Sequence, residues 1–518
     1  MTTSKGMAAS GHPATSAAAA DVLRAGGNAF DAVLGAMCAA CVAEPLLVSL
    51  GGGGFLLAAG TSGPPVVYDF FCQTPSRKRD ADQADFYPIL ADFGAATQEF
   101  HIGMGSIAVP GLVAGLFEVH RDRGRMPLAD VLQPAIALAR DGVELNALQR
   151  YIMRILDAIL KADEAAFALY ESPSRPGSPA ETGETLRNPD LANALQALAD
   201  EGSDLFYRGE WAQRLARDSR ERGGHLSRED LANYRVHRRE PLAFRYRNAE
   251  CLINPPPSPG GCLIAFALKL FENWLPADSR FGDAEHARAL LRAMRAASLA
   301  RARYGLAEGL DRDTPDRVLA PETLAEWHRG LEPESLFSRG TSHISVADAE
   351  GNVASLTASN GEGSAYVLPD TGIMLNNMLG EEDLNPAGFG RWPPGMRLAS
   401  MMSPAIVRDG DRVIALGSGG SNRIRSAILQ VTLNIAGYGL GLQEAVEAPR
   451  MHLEGHKLSV ESGWDPAVVR ELRRLVPEVE EWPEPNLFFG GVHTVAVRSG
   501  GRFEGMGDPR RDGVVSAV

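Results

Sequence analysis

Cysteine, long apolar runs and positive charge are all scarce in this chain. Its 518 residues include five cysteines, Cys38, Cys41, Cys72, Cys251 and Cys262. An odd, low count offers no disulfide framework. Cys38 and Cys41 are spaced C-x-x-C inside an apolar helical pattern, so they read as small buried hydrophobes rather than a redox pair. No run of 18 apolar residues occurs, which excludes a membrane-spanning helix. Residues 1–5 carry no apolar signal core, so a cytoplasmic location is expected. Lys and Arg total 51 against 65 Asp and Glu, a net charge of -14. That balance argues against a nucleic-acid or anionic-membrane partner. Arg288, Arg292 and Arg295 fall at i, i+4, i+7 and read as a solvated helix face. His452-x-x-x-His456 lacks the Glu of H-E-x-x-H and contains Gly455, so no metal is expected there. Gly51–Gly54 is not followed by Gly-Lys-Ser/Thr, which excludes a phosphate loop and leaves a tight backbone crossing in the core. With no nicotinamide fingerprint either, no cofactor is expected.

What is present is an ordinary globular composition, 45% hydrophobic and 22% charged. The length allows about three domains of roughly 150 residues, or one large body. A helix is predicted from about Thr15 to Ala25, stopped by Gly26-Gly27. Asn28 caps a second helix that ends before Pro45. A short strand follows at Phe55–Ala59. Residues 110–250 read as mostly helical, and Asn254–Gly261 as a rigid turn. Residues 311–340 are charged and loop-rich, and β-pattern dominates after them. Asp409-Gly410 marks a hairpin turn between two apolar strands.

Gly340-Thr341-Ser342-His343 carries the chemistry. A strand alternation begins there, turns at Asp348–Asn352 and returns as a second strand, Val353–Ser359. A Thr hydroxyl is a weak nucleophile unless a base lies beside it, and a free α-amine on the same residue serves as one. That amine exists only after cleavage at Gly340-Thr341, which the hydroxyl can perform on the preceding carbonyl. Ser359 and Asn360 close the hairpin and can face Thr341. His343 shares the face of Thr341, either to orient the site or in a structural role. Gly417-Ser418-Gly419-Gly420-Ser421 reads as a strand-to-helix turn. The helix after it has apolar Ile424, Ala427, Ile428, Val431 and Ile435 on one face. Such a turn aims backbone N–H groups at one point, as an oxyanion hole requires; the alternative is a glycine turn used only for packing.

These residues, with Gly26–Ala32, Glu44-Pro45, Pro110-Gly111, Asn376-Asn377, Met402-Ser403-Pro404 and Asp508–Gly513, make the chain resemble a divergent γ-glutamyltransferase (γ-glutamyltranspeptidase) of the N-terminal-nucleophile hydrolases. The resemblance covers nearly the whole sequence. It implies an α+β fold, an αββα four-layer sandwich, made as an inactive precursor. Cleavage would yield a large subunit, 1–340, and a small subunit, 341–518, which together form one body; the resemblance also allows a further homo-oligomer. It also implies Thr341 as nucleophile, Ser359 as its hydrogen-bonding partner, and Gly420 and Ser421 as the oxyanion pair.

At the substrate end the pattern departs. Phe71 stands where the family has the Arg that grips the glutamyl carboxylate. Met378 replaces a Gln, and Met401 replaces one of two serines, leaving Ser400. Glu381 best matches the acidic partner, and Asn360 lies one position from the amine-binding Asn. The segment 377–397 looks short for a lid, which implies an open pocket. Losing a bidentate Arg removes the main device for holding a carboxylate. The implied activity is therefore hydrolysis of a small-molecule amide, or acyl transfer from it to water or an amine, with altered acyl specificity. A true γ-glutamyl hydrolase or transferase acting on glutathione-type compounds is the alternative, with Arg397 or Arg423 taking over the carboxylate. A non-catalytic binding relative is a third reading.

Overall fold

The computed structural model describes residues 4–61, 63–92, 97–276, 278–306, 310–327 and 341–518. Two antiparallel sheets lie face to face. The first contains β1 (Gly6–Ser10), β2 (Gly53–Ala59), β3 (Val66–Phe70), β4 (His237–Arg239), β5 (Ser342–Asp348), β6 (Val353–Ser359) and β7 (Val514–Ala517). Its order is β7-β1-β5-β6-β2-β3-β4. The second sheet is built from Leu242–Tyr246, Ala249–Ile253, Ala405–Asp409, Arg412–Gly419, Gly491–Arg498 and Arg502–Met506. Strands β5 and β6 pack directly on Arg412–Gly419.

Helices cover both outer faces. On the first sheet lie α1 (Pro13–Arg24) and α2 (Ala29–Ala43), with α2 against β5 and β6. Asn28 caps α2 with a reciprocal capping box to Asp31, as its sequence position predicts. Cys38 and Cys41 are buried inside α2, and burial pushes the Cys38 thiol up to about 12. On the second sheet lie α3 (Pro259–Trp274) and α5 (Arg423–Thr432), and α4 (Ala284–Arg303) packs on α3. The αββα expectation is met.

β5 sits centrally and is buried on both faces. Every residue from Ser342 to Asp348 is buried, and its polar side chains are all spent. On the face toward the second sheet, His343 bonds Thr357 (2.8 Å) and Ser345 (3.0 Å) through its two ring nitrogens. His343 is therefore a structural residue between the sheets. On the opposite face the Ser342 hydroxyl donates to Glu44 (2.7 Å) at the end of α2.

Several local expectations shift. Gly417–Gly419 belongs to a strand and not to the turn, because glycine is needed where chains touch. A Cβ on Gly417 would lie 2.3 Å from the His343 ring, and one on Gly419 would lie 1.9 Å from the Thr341 carbonyl oxygen. The hairpin turn is centred on Gly410-Asp411, since Asp409 still pairs with Arg412. The predicted turn at 254–261 ends at Ser258, and Pro259–Gly261 form the first turn of α3. Within 311–340, short helices form at Thr314–Val318 and Pro321–Trp327, anchored by buried Val318 and Trp327. Residues 328–340, including Gly340, lie outside the described residues.

Candidate active site

Thr341 stands at the entry to β5 and is 4% exposed. The last recorded β5–β6 pair is Ser342–Ala358, so one step further sets Thr341 opposite Ser359. Arg511 Nη1 donates to the Thr341 carbonyl at 2.9 Å. That guanidinium is buried, which lowers its pKa to about 10. Glu44 shares this neighbourhood; burial raises its pKa, while hydrogen bonds from Ser342 and Thr15 pull it back. The carbonyl of Thr341 is thus pinned by Arg511 beside Gly419 of the second sheet.

Thr341 borders a pocket that gathers most of the predicted site. Thr341, Ser359 and Ser421 line it, and so do Phe71, Met378 and Met401. Glu381 and Ser400 complete the set. Each arrives on a different segment. Phe71 follows β3 and stacks on Phe55, ring centroids 5.4 Å apart. Ser359 Oγ accepts from the Gly361 amide (3.0 Å), and Ser400 Oγ accepts from the Met402 amide (3.1 Å). Gly361 has φ 65°, and a Cβ there would strike Asn377 and Glu381, so the glycine lets Glu381 fold in beside Ser359.

The turn between strand Arg412–Gly419 and α5 consists of Gly420, Ser421 and Asn422. Gly420 has φ 115° and Ser421 φ 50°. Their carbonyls are used by the amides of Arg423 (2.9 Å) and Ile424 (3.0 Å). Among the described residues neither the Gly420 nor the Ser421 N–H donates to a protein acceptor. Two unspent amides at the start of a ten-residue helix, one step from the strand that touches Thr341, have the character of an oxyanion-binding turn. A left-handed Ser costs about 1–2 kcal/mol. Its side chain offsets this, since Ser421 Oγ donates to Asp383 at 2.7 Å.

Three expectations need correction. Asn360 does not line the pocket. Strand alternation turns it away from Ser359, its Nδ2 facing the Leu375 carbonyl (3.5 Å) and its amide bonding Leu47. Arg397 is not available to a substrate. It contacts the Phe71 carbonyl and Tyr234 hydroxyl through Nη1, donates to the Arg235 carbonyl (2.6 Å) and lies 3.6 Å from Asp69. Arg423 is outside the pocket, 4.0 Å above the Phe488 ring. Thr341, Ser359, Glu381 and Ser400 are buried, and Asp383 on the short 377–397 segment bonds Ser421 beside them.

Sequence reasoning missed Arg301. It is 3% exposed and lines the pocket. A signal existed: with Leu290, Met294 and Ala297 it falls at i, i+4, i+7, i+11, on the buried stripe of α4. A second pocket meets Thr341 from the side of Ser342 and Glu44, between apolar residues such as Leu46, Leu145 and Leu191. Of the predicted site residues among those described, Thr341 and His343 border it.

Known proteins resemble this chain. The family model described as Gamma-glutamyltranspeptidase matches residues 15–518. The Acylase ACY 1 proenzyme of Pseudomonas sp. (strain V22) is 33% identical, covering 100% of this chain and 94% of that protein. The Glutathione hydrolase proenzyme of Escherichia coli (strain K12) is 30% identical, covering 98% and 90%. The crystal structure of cephalosporin acylase from Bacillus halodurans superposes with a TM-score of 0.85 at 24% identity, over 99% of this chain and 96% of that one.

Proposed function

The chain belongs to the gamma-glutamyltranspeptidase family and is a hydrolase of amide bonds; from that premise we propose that it matures by cutting itself at Gly340-Thr341 and then acts through Thr341 on an acyl group other than γ-glutamyl. The new Thr341 α-amine takes the hydroxyl proton as the hydroxyl attacks the substrate carbonyl. The amides of Gly420 and Ser421 receive the developing oxyanion, a contribution of about 2.7–4 kcal/mol per donor. Collapse expels the amine, protonated by the Thr341 ammonium. Water, activated by the same amine, then releases the acyl group. The two pieces stay together because β5 and β6 lie between β1 and β2, strands from before the cut.

One observation carries the specificity reading: Phe71, Met378 and Met401 line the same pocket as Thr341. Burying a glutamyl α-carboxylate against these apolar groups without a charged partner is costly. The name of the Pseudomonas relative, an acylase, agrees with this reading. The second reading, a γ-glutamyl hydrolase, draws on Glu381 and Ser400 in that pocket and on the E. coli relative's name. The deciding experiment compares kcat/KM for a γ-glutamyl anilide with anilides whose acyl groups lack the α-amino and α-carboxyl groups. Turnover of the γ-glutamyl compound at about 10⁴ M⁻¹s⁻¹ or better, the range of ordinary enzymes, establishes the second reading.

A further inference from the structure

We propose that Arg511 is a positioning residue for the nucleophile: it holds the Thr341 carbonyl against the oxyanion turn, and its charge keeps the α-amine of the cut chain neutral, ready to act as base. This rests on the reading that Thr341 heads the small chain. Arg511 Nη1 donates to the Thr341 carbonyl at 2.9 Å. The same guanidinium lies along the turn. A Cβ on Gly419 would come within 2.8 Å of Nη1, and one on Gly420 within 3.2 Å of Nη2. Glycine at both positions makes room for a cation between the nucleophile's backbone and the turn with the two unspent amides. The short segment that carries Arg511 is itself fixed. Asp508 accepts the Arg510 amide (3.0 Å) through its carboxylate and the Arg511 amide (3.1 Å) through its carbonyl. Arg450 in turn grips Asp508, and Arg510 grips Glu461.

The carbonyl oxygen and α-nitrogen of one residue are three bonds apart, which puts the guanidinium within about 6 Å of the amine. A like charge at that range disfavours the protonated amine. An unperturbed α-amine titrates at about 7.7–8.0, so at neutral pH most of it is protonated and cannot take the hydroxyl proton. Other groups around Thr341 contribute less or in both directions. His12 before α1, His343 on β5 and His493 on the second sheet stay neutral, because burial lowers their pKa values. Glu44 at the end of α2 carries the opposing charge, but it bonds Ser342 and Thr15 and makes no ion pair with Arg511 among the described residues. On the pocket side Glu381 and Asp383 stand with Arg301, and Arg423 follows the turn. Arg511 is the cation whose contact with the Thr341 backbone is direct.

The acidic limb of kcat/KM reports the free enzyme's base, read from about pH 5 to 9 with the anilide that the wild type turns over best. In Arg511→Gln the limb should move up by about one pH unit, so the loss at low pH exceeds the loss at high pH by roughly tenfold. Arg511→Lys keeps the charge and should leave the limb close to its wild-type position. A structural role alone would lower kcat/KM equally at every pH. A limb that stays in place in Arg511→Gln therefore overturns the proposal. A second measurement needs no variant. Cyanate carbamoylates neutral amines, and mass spectrometry of the two N-terminal peptides gives the titration midpoint of each chain's α-amine. The Thr341 midpoint should lie below that of the large chain. A midpoint at or above it overturns the proposal, whether or not Arg511→Gln matures. A chain that is never cut has no Thr341 α-amine, and the functional reading falls together with this one. A cut, active enzyme with an unmoved limb overturns the role of Arg511 alone.

Discussion

The hydroxyl of Ser421 donates to the carboxylate of Asp383 at 2.7 Å, joining the strand-to-helix turn to the short segment that lines the pocket. This bond accounts for a Ser at a left-handed position with φ 50°. Ser421→Ala keeps the backbone strain and loses the bond. It should lower stability by about 1.5–3 kcal/mol, the range for a hydrogen bond to a charged group. Ser421→Gly also loses the bond but relieves about 1–2 kcal/mol of strain, so it should be the milder variant. Chemical denaturation of both variants checks the order.

Phe71→Arg should raise kcat/KM for a γ-glutamyl anilide by roughly tenfold, since an Arg in this pocket offers the carboxylate a charge-assisted partner. The cost is the stacking of Phe71 on Phe55, about 0.5–1.5 kcal/mol beyond area burial. Steady-state kinetics and a thermal melt on the same preparation separate the two effects. A variant that folds and gains nothing removes Phe71 from the specificity account.

Arg397 carries structure and not substrate. Its guanidinium joins Asp69, Tyr234 and two backbone carbonyls, all buried or half-buried. Arg397→Met should cost about 3–5 kcal/mol, as when one member of a buried pair is removed. In protein that still folds, KM for any acyl anilide should stay within a few fold of wild type. A selective rise in KM for carboxylate-bearing substrates would assign Arg397 to the site after all.

Acid should weaken the fold through its buried histidines. His12, His286 and His493 each accept an amide N–H through Nδ1, from Ala14, Gly282 and Asp508. That bond needs a neutral ring, and burial lowers all three pKa values to about 4. Unfolded, each histidine protonates near its ordinary value of about 6.5. The unfolded state therefore binds more protons between pH 6.5 and about 4, and stability falls as pH drops through that window. The slope should be up to about 1.4 kcal/mol per pH unit per histidine. Urea titrations at a series of pH values should show a shallower slope for His286→Gln, which keeps an acceptor and loses the titration.

How much was legible follows from whether a feature is local. The strand Val353–Ser359, the preceding turn and the Asn28 cap depend on alternation and capping, and all appear where the residues imply. The gathering of Phe71, Met378, Glu381, Ser400 and Met401 around Thr341 came from the family resemblance, since these residues lie far apart in sequence. Gly417–Gly419 misled because its glycines answer to the His343 ring and the Thr341 carbonyl, contacts that local sequence does not encode. Asn360 failed by one residue, which in a strand means the opposite face. Arg301 was hidden among the arginines of α4; only its phase with Leu290, Met294 and Ala297 separates it from the solvated ones.

The central claim is that Thr341 becomes the N-terminal nucleophile. Intact mass and N-terminal sequencing of wild type and Thr341→Ala under denaturing conditions test it most directly. The wild type should give two chains, the smaller beginning Thr341-Ser342-His343-Ile344, that copurify until denatured. Thr341→Ala should remain one chain of 518 residues without amidase activity. A small chain with another first residue, or an uncut wild type that still hydrolyses amides, would contradict the account.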